Sequence, residues 1–342
     1  MSWLRKALPV ILSLALFYWV FRHVETDSLW SVLRSTRFEW VALVPLLVGL
    51  GLFFKAWRWR ALLTALDGQV TLWTVFSGMS LGTLVDQVIP GKVGELVRSH
   101  RVGRKIGISR AAVFGTVVVE RLFDMFSVMT ISAVAILGLG LHHHLLDKSL
   151  ILGGALLMVL VVGLLVFLQS RSLLLRMVGV ILPRTMADKV SALLERITQG
   201  FQTLGHWRHS GRALLGTLLM WGCLVIAFMP LLYAMGFTPA PPLHTAFVLI
   251  FLTAVGIAIP TAPGGMGIYE FVAYLSLSIT LPAGALETPE MAARTAVFGV
   301  LYHITSLVPE LLAGFYCLNR EFPGLGLERA LAKLRPEAQG SA

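Results

Sequence analysis

Apolar residues along the chain gather into long runs parted by short charged stretches, without the alternation of strands. Six runs predict spanning helices: Ala7–Phe21, Trp40–Trp57, Ala111–Leu139, Leu150–Leu168, Ala213–Met235 and Arg294–Leu318. Their lengths lie around the roughly 20 residues that cross a hydrocarbon core of about 30 Å. Two further stretches, Leu72–Pro90 and Leu243–Pro263, end in Pro and Gly, and Ile268–Leu281 is short for a span. One segment has a different rhythm. Between Ala187 and Leu204, Val190, Leu193, Leu194, Ile197, Phe201 and Leu204 recur at helical spacing, which predicts an amphipathic helix on the membrane surface.

Composition says what surrounds these helices. Of 342 residues, 56% are hydrophobic and only 13% charged, about half the charge of a soluble domain. Mean hydropathy is +0.80. A water-soluble exterior cannot be covered with so little charge, so lipid is the expected solvent. The net charge of +10 does not point to nucleic acid, because Lys and Arg cluster in short loops beside apolar runs, the positive-inside pattern. Arg5 and Lys6 place the N-terminus in the cytoplasm, and Lys55, Arg58 and Arg60 mark the return of the second span. Arg5, Lys6 and the first apolar run superficially look like a signal peptide, but no small-residue cleavage site precedes Arg22, so a retained first helix is expected. Cys223 and Cys317 lie in separate apolar segments and read as small buried hydrophobes.

The charges also decide what Leu72–Pro90 does. It is followed by Lys92, Arg98, Arg101, Arg104, Lys105 and Arg110. A full crossing would put this basic run outside, so a re-entrant hairpin returning to the cytoplasm is predicted, its backbone satisfied by protein or a polar cavity. Leu243–Pro263 would be a second hairpin, entering from outside. The stretch holding Arg171, Arg176, Arg184, Lys189, Arg196, Arg208 and Arg212 is cytoplasmic on the same rule, as is the tail, residues 321–342, with Arg329, Lys333 and Arg335.

The two hairpins share a motif. Pro90-Gly91-Lys92-Val93-Gly94-Glu95 matches Pro263-Gly264-Gly265-Met266-Gly267, with Glu270 soon after, and Ala112-Val113-Phe114-Gly115 matches Ala296-Val297-Phe298-Gly299 in the same order. The expected fold is an all-α polytopic membrane protein of about six spanning helices plus two re-entrant hairpins in an inverted repeat. One domain, residues 1–320, would hold repeat one (about 1–141) and repeat two (about 149–320). Broken segments meeting near the midplane are a recurrent transporter design. A broken helix exposes unpaired N–H groups at a positive dipole end, where an anion can sit.

Glu120, Arg121 and Asp124 interrupt the third span about 14 Å from its cytoplasmic end, where each charge costs roughly 2.5–3.5 kcal/mol. Glu120 and Asp124 share a face, and Arg121 reaches Asp124 at i, i+3. They are either a buried ion pair locking helices together or an anion site with its counter-ion. Lys92, Glu95 and Arg98 follow the first break, and Glu270, His303 and Glu310 are polar counterparts in the second half. His142-His143-His144 lack a carboxylate cluster, so no metal and no cofactor are expected.

The segments Ile89-Pro-Gly-Lys-Val-Gly-Glu95 through Arg98, Glu120-Arg-Leu-Phe-Asp124, and Pro260-Thr-Ala-Pro-Gly-Gly-Met-Gly-Ile-Tyr-Glu270 resemble the membrane region of the lysylphosphatidylglycerol synthase family, a flippase-like group. The resemblance runs from about Ala7 to Leu318. It implies passage of a lipid across the bacterial inner membrane, an anionic phospholipid or a polyprenyl- or hopanoid-type lipid, or an accessory role beside a lipid-synthesis enzyme. No synthase domain follows Leu318, so aminoacyl transfer is not expected. Tyr302-His303 stands where the family pattern has Tyr-Arg. The expected substrate-binding set is Pro90, Gly91, Lys92, Gly94, Glu95, Arg98, Glu120, Arg121, Asp124, Pro263, Gly264, Gly265, Gly267, Glu270 and His303. Membrane lipids with anionic headgroups are the expected partners. No catalytic residue is assigned; the alternatives are a lipid-modifying transferase, for which no nucleophile or paired acidic motif is found, and a scaffold for a lipid-synthesis enzyme.

Overall fold

The computed structural model describes residues 2–22, 24–66, 69–88, 93–138, 144–169, 180, 183–237, 242–257 and 262–324. Pro90, Gly91 and Lys92 of the first break lie outside these, as do His142, His143 and the tail from 325 onward. The described residues form helices and no strand. In chain order these are α1 (Ser2–Phe21), α2 (Thr26–Ser35), α3 (Phe38–Val41), α4 (Leu43–Thr64), α5 (Leu72–Val88), α6 (Gly94–Ile106) and α7 (Arg110–Ala133). After α7 comes one π turn, Val134–Gly138. Then follow α8 (His144–Gln169), α9 (Arg184–Phe201), α10 (Trp207–Ala234), α11 (Pro242–Gly256), α12 (Ile268–Thr280) and α13 (Pro289–Glu321).

Each predicted span contains a helix, but the ends move. Three helices among the described residues are long and apolar enough to cross a membrane: Phe38–Thr64, Trp207–Ala234 and Pro289–Glu321. This is a multi-pass membrane protein. α7 is 24 residues long, and its mid-helix charges keep it from reading as an apolar span. Arg58 and Arg60 do not lie in a loop beyond Trp57, where the predicted span ended. α4 runs on to Thr64 and buries Arg58 completely. The basic run after the first break is likewise not loop. It forms α6, which ends in the left-handed turn at Gly107 (φ 70°) before Ser109 caps α7 through the Ala112 amide, 3.3 Å away.

α5 is one helix of 17 residues instead of a hairpin in itself; the turn back is made by α6. The two pack closely because Gly78 and Gly82, one turn apart on α5, leave room for the α6 backbone. A Cβ on Gly82 would stand 2.6 Å from the Gly94 carbonyl oxygen and 3.1 Å from Arg98 Cβ. Later in the chain α11 and α12 also pack together, with Pro263–Gly265 between them. Gly264, Gly265 and Gly267 all have positive φ (80°, 76° and 84°), a chain path that a Cβ would strain.

The halves interleave. α4 and α10 pack along their length and run antiparallel, with Gly51 beside Cys223 and Leu224 and Gly216 beside Trp57 and Arg58. The C-terminal part of α13 lies along α5, pairing Gln87 with Glu310 and Ser77 with Glu321. Ile131 near the end of α7 and Ile136 in the π turn after it enter the second-half core with Leu249, Phe251 and Phe298. α1 packs on the later helices, since Trp19 meets Phe271 and Tyr274 of α12. α9 does have the amphipathic pattern predicted for it, but Gly200 packs on Gly115 of α7, so its buried face meets protein. Leu193 remains exposed.

Candidate functional site

Arg58 on α4, Arg98 on α6 and Glu120 on α7 meet where the three helices of the first half converge. Arg58 Nη2 lies 2.5 Å from Glu120 Oε1, and its Nη1 is the same distance from Asp124 Oδ1. Arg98 Nη2 pairs with the other Glu120 oxygen at 2.8 Å. It approaches off the hydrogen-bonding direction, because the Arg98 guanidinium stacks on the Trp59 ring at 4.7 Å. Trp59 is held in turn by its indole N–H, donated to Thr116 Oγ1 at 3.0 Å. Arg58 and Glu120 are fully buried. Removing such charges from solvent costs several kcal/mol per ion unless they are paired, and here each buried charge has a partner.

The network continues to a more open side. Arg121 Nε pairs with Glu95 Oε1 at 2.9 Å and its Nη1 with Asp124 Oδ2 at 3.3 Å, while Glu95 and Arg98 stand 4.0 Å apart. The Arg121 side chain is 46% exposed and that of Glu95 39%. Lys55, one turn before Arg58 on α4, has no hydrogen bond or ion pair among the described residues. It lies within electrostatic reach of Glu310, Arg121, Glu120 and Arg98. This network sets four cations (Lys55, Arg58, Arg98, Arg121) against three carboxylates of the first half (Glu95, Glu120, Asp124), and the carboxylate nearest in effect to Lys55 comes from the other half. Glu310 of α13 stands across from it and accepts a hydrogen bond from Gln87 Nε2 at 2.9 Å.

In the first break the Gly94 amide donates to Asp86 Oδ1 at 2.7 Å, tying the start of α6 to the end of α5. The second break is tied differently. Glu270 Oε2 accepts the Gly267 amide at 2.8 Å, and Glu270 Oε1 faces His303 Nδ1 at 2.9 Å. The other ring nitrogen of His303 stands 2.8 Å from the Gly264 carbonyl oxygen. Tyr269 stacks parallel on the His303 ring at 4.7 Å. Ser13 of α1 accepts the Ala262 amide at 2.8 Å. The Pro263–Gly265 turn also packs against α5, so the second break touches the first half.

Of the predicted residues, Glu95, Arg98, Glu120, Arg121 and Asp124 form one network, and Gly264, Gly267, Glu270 and His303 form another. Gly265 and the Pro263 backbone shape the second turn, and Gly94 closes the first. Sequence reasoning passed over Arg58, Lys55, Trp59 and Asp86. Arg58 and Lys55 sit at the basic end of an apolar run, where positive-inside anchoring explains them equally well. The signal that could have singled them out is the mid-span carboxylate pair, which demands a cation from another helix. Among the described residues no group of three His, Cys, Asp or Glu side chains is placed to hold a metal ion. A shallow depression near Asp27, Trp30, Ser31 and Arg34 on α2 lies away from both networks.

Residues 6–314 match the family model described as the lysylphosphatidylglycerol synthase TM region. The chain is 22% identical over 305 residues to glycosyltransferase AglD of Haloferax volcanii, covering 80% of this chain and 48% of that protein. It therefore spans about half the length of the curated relative it matches. No solved structure matches. With a matched region that takes in two of the long apolar spans, most of the third, both breaks and both polar networks, the chain belongs to the lysylphosphatidylglycerol synthase TM region family.

Proposed function

We propose that this protein carries a lipid with an anionic headgroup across the bacterial inner membrane, with both termini cytoplasmic. The observation that carries this reading is Lys55, which has no hydrogen bond or ion pair among the described residues and lies beside the half-exposed Arg121, facing Glu310 of the other half. A phosphate is the natural complement. It can pair directly with the Lys55 ammonium and can replace the exposed Glu95 on the Arg121 guanidinium, a planar fork suited to phosphate oxygens. Arg58, Glu120 and Arg98 are then the fixed frame against which this open face is held. The acyl or prenyl chains stay in lipid throughout.

The inverted-repeat reading supports alternating access. α4 and α10 are its equivalent spans and run antiparallel, the pairs α5–α6 and α11–α12 are its re-entrant hairpins, and α7 and α13 follow them. Six spans result when α1, α7 and α8 are counted with the three long apolar helices. The two hairpins serve as gates on opposite faces, with the headgroup site between them. On this reading the chain is a transporter and not an enzyme.

Fluorescent-lipid translocation in proteoliposomes tests it. Arg121→Ala lowers the rate at least about tenfold, the loss expected when a charged hydrogen-bonding partner is removed, with normal expression and folding. Undiminished translocation by that variant refutes the site. A second reading, a transferase acting on a membrane lipid, draws on the name of the Haloferax relative. In it the same cluster holds the phosphate of a lipid acceptor. Transfer of a labelled sugar onto lipid by the purified chain would favour it over transport, and dependence on a co-purifying lipid-synthesis enzyme would favour a scaffold.

A further inference from the structure

His303 stands between two acceptors. The Gly264 carbonyl, 2.8 Å from Nε2, can only accept, so Nε2 carries a hydrogen. Glu270 Oε1, 2.9 Å from Nδ1, also needs a hydrogen on that line, whether it formally belongs to the ring or to the carboxyl group. Both contacts are satisfied only when the pair holds one proton more than a neutral imidazole and a carboxylate do. Take that proton away, and one lone pair of the ring faces an oxygen. The bond to the ionised carboxylate is the stronger of the two. The remaining hydrogen therefore stays on Nδ1, and the Gly264 carbonyl loses its donor.

From this geometry we infer that His303 and Glu270 form a proton-binding site that latches the second break, and that proton release there frees the Gly264 turn and couples lipid movement to protons. The inference rests on the translocase reading for its coupling, though not for the latch. Its surroundings fit. Gly264 and Gly265 already have positive φ and can change path cheaply, and their turn packs on α5 of the other half. Glu270 keeps its second oxygen on the Gly267 amide, so the start of α12 stays in place when the latch opens. Among the described residues, the titratable groups around the pair are Tyr269 of α12, stacked on the His303 ring, with Tyr302 and Glu310 of α13 acting on Tyr269, and Gln87 of α5 donating to Glu310. Tyr302 is engaged with Thr253 of α11. Glu120, by contrast, is engaged by two guanidinium groups.

The test places a single cysteine at the exposed Met266 of the full chain, with Cys223 and Cys317 replaced by Ala and Ser, and follows its alkylation in proteoliposomes between about pH 5 and pH 9. Rates are divided by those of the same cysteine in a His303→Ala background, which cancels the titration of the thiol. With His303 present, the normalised rate rises about two- to tenfold with pH, the shift that one net hydrogen bond supports. Glu270→Gln keeps it low at every pH, because the Gln amide can donate to Nδ1 while Nε2–H stays on Gly264. A merely structural role would make Glu270→Gln and His303→Ala alike, and that result, or a pH-independent ratio, overturns the latch. Lipid translocation by wild-type chain that ignores an imposed proton gradient overturns the coupling alone. No translocation at all, with the latch intact, refutes the transport reading and leaves the proton site standing.

Discussion

Replacing Glu120 by Gln removes one negative charge from a place where two guanidinium groups converge. The shape of the side chain is kept, so no cavity enters the result. Arg58 would retain Asp124, but Arg98 would be left with Glu95 at 4.0 Å and its stacking on Trp59. Stripping one partner from a buried ion pair costs about 3–5 kcal/mol, because the stranded charge keeps its desolvation penalty. With Arg58 fully buried and Arg98 only 4% exposed, the upper part of that range applies. The second half of the prediction carries the logic. Adding Arg58→Met restores the charge balance, leaving Arg98 and Arg121 against Glu95 and Asp124, and should recover at least about 1–2 kcal/mol of the loss. Reversible unfolding in mixed micelles, followed by Trp fluorescence, measures both variants, and Trp59 reports on the network directly. A single-variant loss under about 1 kcal/mol, or a double variant whose losses merely add, would show that the charges are not coupled as described.

Three further outcomes are expected. Lys55→Met should fold normally, since Lys55 holds no hydrogen bond or ion pair among the described residues, yet reduce copurifying anionic lipid several-fold by mass spectrometry of the extracted complex; unchanged lipid would remove Lys55 from the site. Gly94→Ala sets a methyl group against the Gly82 carbonyl and Asp86 Oδ2, which should destabilise the α5–α6 pair by about 2–4 kcal/mol, read as a lower melting temperature in detergent. Thr116→Val should leave the fold intact but free the Trp59 indole N–H, costing about 1–3 kcal/mol and shifting the Trp emission.

Much of this molecule can be read from its residues, and what cannot has a physical cause. Glu120, Arg121 and Asp124 announce themselves because charge within an apolar run is expensive, so each must be accounted for. The two breaks are equally legible, because Pro and Gly have few other reasons to stand together inside apolar segments. Arg58 is silent by the same physics. At the end of a span a cation is cheap, and nothing local tells a loop anchor from a buried counter-ion. Only the length of α4, which runs past Trp57 to Thr64, makes the difference. α6 hid for a related reason: it is too polar to read as membrane-embedded until its arginines find distant partners, Arg98 at Glu120 and Arg101 at Glu321, the latter 2.9 Å away. Long-range pairing is invisible to local pattern.

Gly216 deserves a last consequence. It belongs to α10, in the other half of the chain from the first network, and carries no polar side-chain atom. Yet a methyl group there would lie 2.9 Å from Arg58 Cβ and 3.1 Å from its Cα. The α4 backbone at Arg58 is therefore fixed by what position 216 lacks, and with it the point from which the guanidinium reaches Glu120 and Asp124. In a genetic screen, bulkier residues at 216 would score beside variants of the charged residues themselves. They would look like electrostatic mutants, although the lesion is purely one of volume.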